Sequence, residues 1–208
     1  LGTRNSFIIG IAATFLATAL GTVAALGLSR PNMPFKGTIM AILISPMIVP
    51  LIITSAGMFF FYSKIGLTHT YIGLILAHTA LGTPFVVITV TATLTGFDTN
   101  LIRASQSLGA DTMRTFFKVI MPLILPGVIS GALFAFITSF DEVVVVMFVG
   151  SVEQITIPKQ MWAGLRQETS PVILCMATCL VALSIALLTT VELLRRRSER
   201  LRGIKLRN

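Results

Sequence analysis

Apolar residues run along this chain in blocks rather than in stripes. From Phe7 to Leu28 no charged residue occurs, and comparable blocks follow over Gly37–Phe61, Tyr71–Leu94, Pro126–Phe148 and Pro171–Leu194. Each approaches or exceeds the roughly 20 apolar residues that a helix needs to cross a hydrocarbon core of about 30 Å. The pattern predicts an all-α, polytopic helical membrane protein with five visible spans. Pro46 and Pro50 interrupt the second block and Pro84 lies inside the third. Each removes a backbone hydrogen bond, which is tolerated at membrane depth where protein or a water-filled cavity satisfies the freed carbonyl. The fourth block carries two acids, Asp141 and Glu142, and Glu192 closes the fifth. Small residues recur every fourth position in the first span, at Ala13, Ala17, Gly21 and Ala25, and again at Gly127 and Gly131. Such stripes let helices approach closely, either within one bundle or between two chains.

The polar stretch between the third and fourth blocks has a helical pattern of its own. Asp98 is placed to cap a first short helix, with Leu101, Ala104, Ser105 and Leu108 on one face. Gly109 is placed to end it in a left-handed conformation. Asp111 is placed to cap a second helix whose apolar face is Met113, Phe116, Phe117 and Ile120. Pro122 and Pro126 are expected to break the chain and turn it into the membrane. An interfacial hairpin, an ordered loop and a helix that docks in a groove on a soluble partner all fit this pattern.

Composition sharpens the class. Of 208 residues, 54% are hydrophobic and 12% charged, against about a quarter charged in soluble domains. The mean hydropathy is +0.90. The net charge of +8 raises nucleic acid as a partner, but seven of the 16 basic residues (Arg195, Arg196, Arg197, Arg200, Arg202, Lys205, Arg207) crowd the last 14 positions, directly after a span. That is a cytoplasmic end by the positive-inside rule, and no nucleic acid is expected. With that end inside, Arg30, Lys36, Arg103, Arg114 and Lys118 fall inside too, and only Arg4, Lys64, Lys159 and Arg166 fall outside. Parity then puts Leu1 outside with no signal pattern, so a first span is expected before Leu1.

The run RASQSLGADTMRTFFKVIMPLILPG, Arg103 to Gly127, resembles the EAA loop of bacterial ABC transporter permeases that work with a binding protein. Arg103-Ala104-Ser105 stands where that motif has Glu-Ala-Ala, Gly109 matches its glycine, and Met121-Pro122 stands at its Leu-Pro pair. The flanks TPFVVITVTATLTGFD (Thr83–Asp98) and SFDEVVVVMFV (Ser139–Val149) are similar to the second permease subunit of spermidine/putrescine systems, and the resemblance covers the whole chain. It implies a type I ABC importer permease fold of six spans, five of them visible here. It also implies a single transmembrane permease domain over 1–208, with a cytoplasmic coupling loop at 95–122 and a basic cytoplasmic tail at 195–208. The implied partners are a second homologous permease subunit, an ATPase dimer, a periplasmic substrate-binding protein and the lipid bilayer of the bacterial inner membrane. The implied coupling residues are Arg103, Ala104, Ser105, Leu108, Gly109, Ala110, Asp111, Phe116 and Pro122. Arg103 reverses the charge of the motif glutamate, so a salt bridge made by that glutamate does not carry over. No cofactor is expected on this chain. ATP and Mg belong to the partner ATPase, and no Walker A sequence occurs here.

A carboxylate at membrane depth is a functional hypothesis by default, because its burial must be offset by water, a partner or a ligand. Asp141 lies about 22 Å along a helix from Pro126. It is the candidate to meet substrate, with Glu142, Phe136 and Phe140 beside it and the two rings able to face an ammonium. A packing or gating role for the acids competes with that reading. The substrate class is then a polyamine or related small organic cation, with an amino-acid-like solute as the alternative. An ATP-independent channel or secondary transporter would explain bent spans and membrane acids but not the docking-type loop. A membrane enzyme lacks paired aspartates on adjoining spans, a zinc pattern and a serine motif. Cys175 and Cys179 are read as small apolar residues of a buried helix and not as ligands; no metal site is expected. His69 and His78 are read as loop and packing residues, Glu192 as paired with the following arginines, and Met161–Trp162 as an interfacial anchor or a contact for the binding protein.

Overall fold

A computed structural model describes residues 1–30, 32–95, 98, 100–167 and 171–201. Every regular element among them is helical. In chain order they are α1 (Gly2–Leu28), α2 (Lys36–Ile48), α3 (Leu51–Ile65), α4 (Tyr71–Thr95), α5 (Asn100–Ser107), α6 (Thr112–Thr115), α7 (Met121–Phe140), α8 (Val144–Val149), α9 (Ile157–Gln167) and α10 (Pro171–Leu201). A π-helical turn, Phe116–Ile120, joins α6 to α7. Among the described residues three helices are long and apolar enough to cross a membrane: α1, α4 and the continuous Thr112–Phe140. The bent pair α2–α3 adds a fourth, and the apolar stretch of α10, Leu174–Thr190, is shorter. Of the basic tail, residues 202–208 lie outside the described residues. The pairing expected of Glu192 falls on arginine side chains that are also outside them.

The core is the triple packing of α1, α4 and α7, and small residues make it possible. Ala13, Ala17, Gly21 and Ala25 are all buried. A Cβ added at Gly21 would sit 2.6 Å from the Val86 Cβ, and one at Gly131 would sit 2.8 Å from the Val86 Cα. One at Gly127 would strike Thr93, and one at Gly82 would meet Ala135 at 3.0 Å. The small-residue stripes therefore pack within this chain. Two apolar clusters fill the interior: Ala17, Ala25, Val86, Val90, Ile124 and Ala135 toward one end, and Ile9, Leu74, Ala77, Val145, Val146 and Val149 toward the other. By contrast no residue of α2 is buried, and Cys175 and Cys179 are exposed on α10 rather than buried as expected, because α10 lies at the rim of the bundle.

The prolines act differently at each site. Pro46 stays inside α2, where the carbonyl of Ile42 that it deprives of a donor accepts from Ser45 Oγ at 2.8 Å. At Val49–Pro50 the chain turns by 104° between α2 and α3. Pro122 and Pro126 do not break the chain, contrary to the sequence expectation: Thr112–Phe140 runs on as one helix. The Met121 N–H donates to Phe116 O in the wider i→i+5 register, and that turn gives the Pro122 ring room against the preceding carbonyls. The fourth span also ends earlier than expected. It stops at Phe140, so Asp141 and Glu142 occupy a break before α8 instead of a continuous helix to Phe148. A carboxylate at a helix C-terminus opposes the macrodipole, and a better place for Glu142 exists at the start of α8.

Candidate functional site

The elbow between α4 and α7 is built from local signals. The Asp98 carboxylate accepts the Asn100 N–H at 2.9 Å and starts α5. Gly109 takes φ +81°, a left-handed conformation that glycine adopts cheaply, and the Ala110 N–H closes the turn on Ser105 O at 3.0 Å. Asp111 caps α6 by accepting the Arg114 N–H at 2.7 Å. Ser105 Oγ and Thr115 Oγ1, 2.9 Å apart, share a hydrogen bond that ties α5 to α6. Ser105 thus turns inward, leaving Leu101, Ala104 and Leu108 on the outward face; Leu108 is 88% exposed. Arg103, Gly109, Asp111 and Pro122 are exposed, Ala110 and Phe116 half-buried. On the second helix Met113 and Phe117 point outward while Phe116 and Ile120 turn to the bundle.

The acidic pair splits into two environments. Glu142 is buried and its Oε1 accepts the Val145 N–H at 2.9 Å, which starts α8. Asp141 is exposed and lines a cavity of about 430 Å³ with Leu51, Ile137, Thr138, Glu142, Val143 and Val144. Phe136 and Phe140 do not share that side. They stack on each other at 5.2 Å, Phe140 meets Phe7 edge-on at 5.2 Å, and Phe136 lies against Gly10 of α1. Successive residues turn by about 100° on a helix, so positions 137, 138 and 141 face α3 while 136 and 140 face α1. Beside the break, His78 Nδ1 and Ser139 Oγ lie 2.8 Å apart, both buried, joining α4 to α7. This is a packing histidine, as its place in a span predicts.

A second polar cluster, at the other end of the bundle from the elbow, has no signature in the sequence. Asn5 is fully buried. Its Nδ2 donates to Glu153 O at 2.8 Å and Ile155 O at 2.9 Å, and its Oδ1 accepts from Tyr71 Oη at 3.0 Å. Ser6 Oγ accepts the Ile157 N–H, and Gln154 Nε2 donates to the carbonyl of His69, itself in a left-handed turn. Lys159 Nζ donates to Val146 O at 3.1 Å, so a cation meets the carbonyl end of α8. Burial pushes the Lys159 ammonium below its ordinary range. Met161 and Trp162 lie on α9. Among the described residues no group of His, Cys, Asp and Glu could hold a metal.

Residues 17–200 match the family described as binding-protein-dependent transport system inner membrane component. The chain is 31% identical over 194 residues to the spermidine/putrescine transport system permease protein PotC of Haemophilus influenzae, covering 93% of this chain and 76% of that protein. It is 28% identical to the protein of the same description from Escherichia coli (strain K12), covering 93% and 73%. Among solved structures it is similar to an inward-facing MetNI methionine ABC transporter chain, with a TM-score of 0.69 and 22% identity over 99% of this chain and 95% of that one. That likeness speaks to the fold, which is the type I ABC importer permease fold.

Proposed function

Because this chain belongs to the family of inner membrane components of binding-protein-dependent transport systems, we propose that it is a permease subunit of an ATP-driven importer carrying a polyamine or related small organic cation from periplasm to cytoplasm. It works with a second permease subunit, an ATPase dimer that binds ATP and Mg, and a periplasmic binding protein. The elbow end and the C-terminus lie in the cytoplasm. One observation carries the ATP-driven part: a capped two-helix elbow, locked by Ser105 and Thr115, presents Leu101, Ala104 and Leu108 outward and runs without a break into α7. An apolar helix face of that kind seats in a groove of a soluble partner, and motion of the partner reaches the bundle through α7.

The polyamine class rests on the relatives' names and on the Asp141 cavity. That cavity combines the apolar Leu51, Ile137, Val143 and Val144 with Thr138 and the two acids, which suits a flexible chain of methylenes bearing ammonium groups. Glu142 serves the break and Asp141 meets the substrate. The test is ATP-dependent uptake of labelled spermidine into vesicles holding the permease pair and ATPase, with binding protein supplied outside. Leu108→Asp is expected to abolish uptake while the permease pair still assembles. Uptake that persists without the ATPase would overturn the reading.

A further inference from the structure

Between the elbow and the bundle lies a second cavity of about 430 Å³, within the roughly 300–1,000 Å³ of small-ligand sites. Its floor is apolar: Leu26 from the end of α1, Leu94 from the end of α4, and Ile102 and Phe116 from the elbow. Its polar groups converge from three elements: Arg30, Gln106 and Thr112. Ile102 and Gln106 are one turn apart on α5, on the side away from Leu101, Ala104 and Leu108. The ATPase-facing side of α5 and the cavity side are therefore different surfaces, and a partner seated on the first leaves the second facing the membrane surface where α1 and α4 end. Arg30 is exposed, and among the described residues no acidic side chain lines the cavity with it. Two of the carbonyls at the end of α1 that would otherwise compete for a cation share the Ser29 hydroxyl, whose Oγ lies 2.8 Å from Ala25 O and 3.0 Å from Leu26 O.

We propose that this cavity binds one anionic phospholipid of the cytoplasmic leaflet, its phosphate on Arg30 and an acyl chain on the Leu26–Leu94–Phe116 floor. The inference rests on the cytoplasmic placement of the elbow given above. Charge complementarity selects the lipid: a basic side chain at a pocket among span ends on the cytoplasmic side attracts anionic head groups, and the apolar floor gives an acyl chain a contact that a free inorganic anion lacks. A bound lipid fills the space behind α5 and resists its collapse against α1, so the membrane's anionic content tunes how stiffly the elbow transmits motion.

The experiment is native mass spectrometry of the whole transporter complex released from nanodiscs of phosphatidylcholine containing phosphatidylglycerol, scored for retained phosphatidylglycerol. The complex is expected to retain it. Arg30→Gln lowers retention about fivefold, and Ile102→Phe, which fills the cavity without changing charge, also lowers it. Lys36→Gln, equally basic but outside the cavity, leaves retention unchanged. Retention unaffected by both Arg30→Gln and Ile102→Phe overturns the site, and so does equal loss with Lys36→Gln, which would mark a general surface-charge effect. Retention is read without ATP, so a failed elbow mechanism and a failed lipid site give different results.

Discussion

Exchanging the two neighbouring carboxylates one at a time separates their roles. Glu142 is 7% exposed and holds the Val145 N–H at 2.9 Å. In Glu142→Ala that buried donor loses its acceptor, a cost of about 1–3 kcal/mol, and α8 loses its cap, worth about 0.5–2 kcal/mol on the same bond. The two figures describe one interaction, so the expected loss is about 2 kcal/mol. For a chain of this length that lowers the melting temperature by about 4–8 °C. Glu142→Gln keeps an acceptor oxygen and recovers most of it. Asp141 makes no such cap, and it is exposed to the cavity. Asp141→Asn is expected to change stability by less than about 0.5 kcal/mol. A charged contact is worth about 1.5–3 kcal/mol when buried; taking the low end for an exposed carboxylate, the KM for spermidine uptake rises about tenfold. Thermal unfolding of the purified complex and uptake into vesicles read the two axes separately. If Asp141→Asn leaves the KM within a factor of about two, while Glu142→Gln raises it without lowering the melting temperature, the assignment is reversed and the argument from burial is wrong.

Other consequences are direct. Gly131→Ala places a Cβ 2.5 Å from Thr89 Oγ1 and 2.8 Å from the Val86 backbone, and overpacking of that kind costs about 1–3 kcal/mol by thermal unfolding. Gly27→Ala, with nothing within 4 Å, instead gains up to about 1 kcal/mol from helix propensity. Asn5→Ala leaves Tyr71 Oη and the carbonyls of Glu153 and Ile155 without their partner, and the melting temperature of the complex falls by more than for Glu142→Ala. Ser105→Ala removes the tie to Thr115 at about 1 kcal/mol, and more ATP is hydrolysed per spermidine taken up because the elbow yields before α7 moves.

What the sequence made legible is what local chemistry decides. The elbow is foreseen because Asp98, Gly109 and Asp111 act within a few residues of themselves, through caps and a left-handed turn. Span positions follow from apolar length. The features missed depend on partners far along the chain. Asn5 reaches carbonyls 148 and 150 residues away, and an asparagine in the first turn of an apolar helix gives no hint of that. The hydrophobic pattern places the acidic pair within a continuous helix because apolar content continues past Phe140. What ends the helix is a preference of Glu142 for the Val145 amide, visible only once α8 is placed. Pro122 signals a stop in the sequence because the π turn that accommodates it leaves no mark on the hydrophobic pattern.

The packing also limits how motion entering at the elbow can leave it. Gly21 of α1 packs on Val86 of α4, and Gly127, Gly131 and Ala135 of α7 pack on Thr93, Val86 and Gly82 of α4, with little room for an added Cβ at any of the four glycines. Helices this close do not turn about their own axes without separating, because the first Cβ to swing in meets backbone. Packing this close favours α1, α4 and α7 moving as one block. The pair α2–α3 is held differently: α2 buries no residue and α3 only Ser55 and Tyr62. Leu51, the first residue of α3 after the 104° turn, forms the wall of the Asp141 cavity opposite α7. If the elbow transmits motion as proposed, a push on it is expected to change the width of that cavity, with the Val49–Pro50 turn absorbing the displacement.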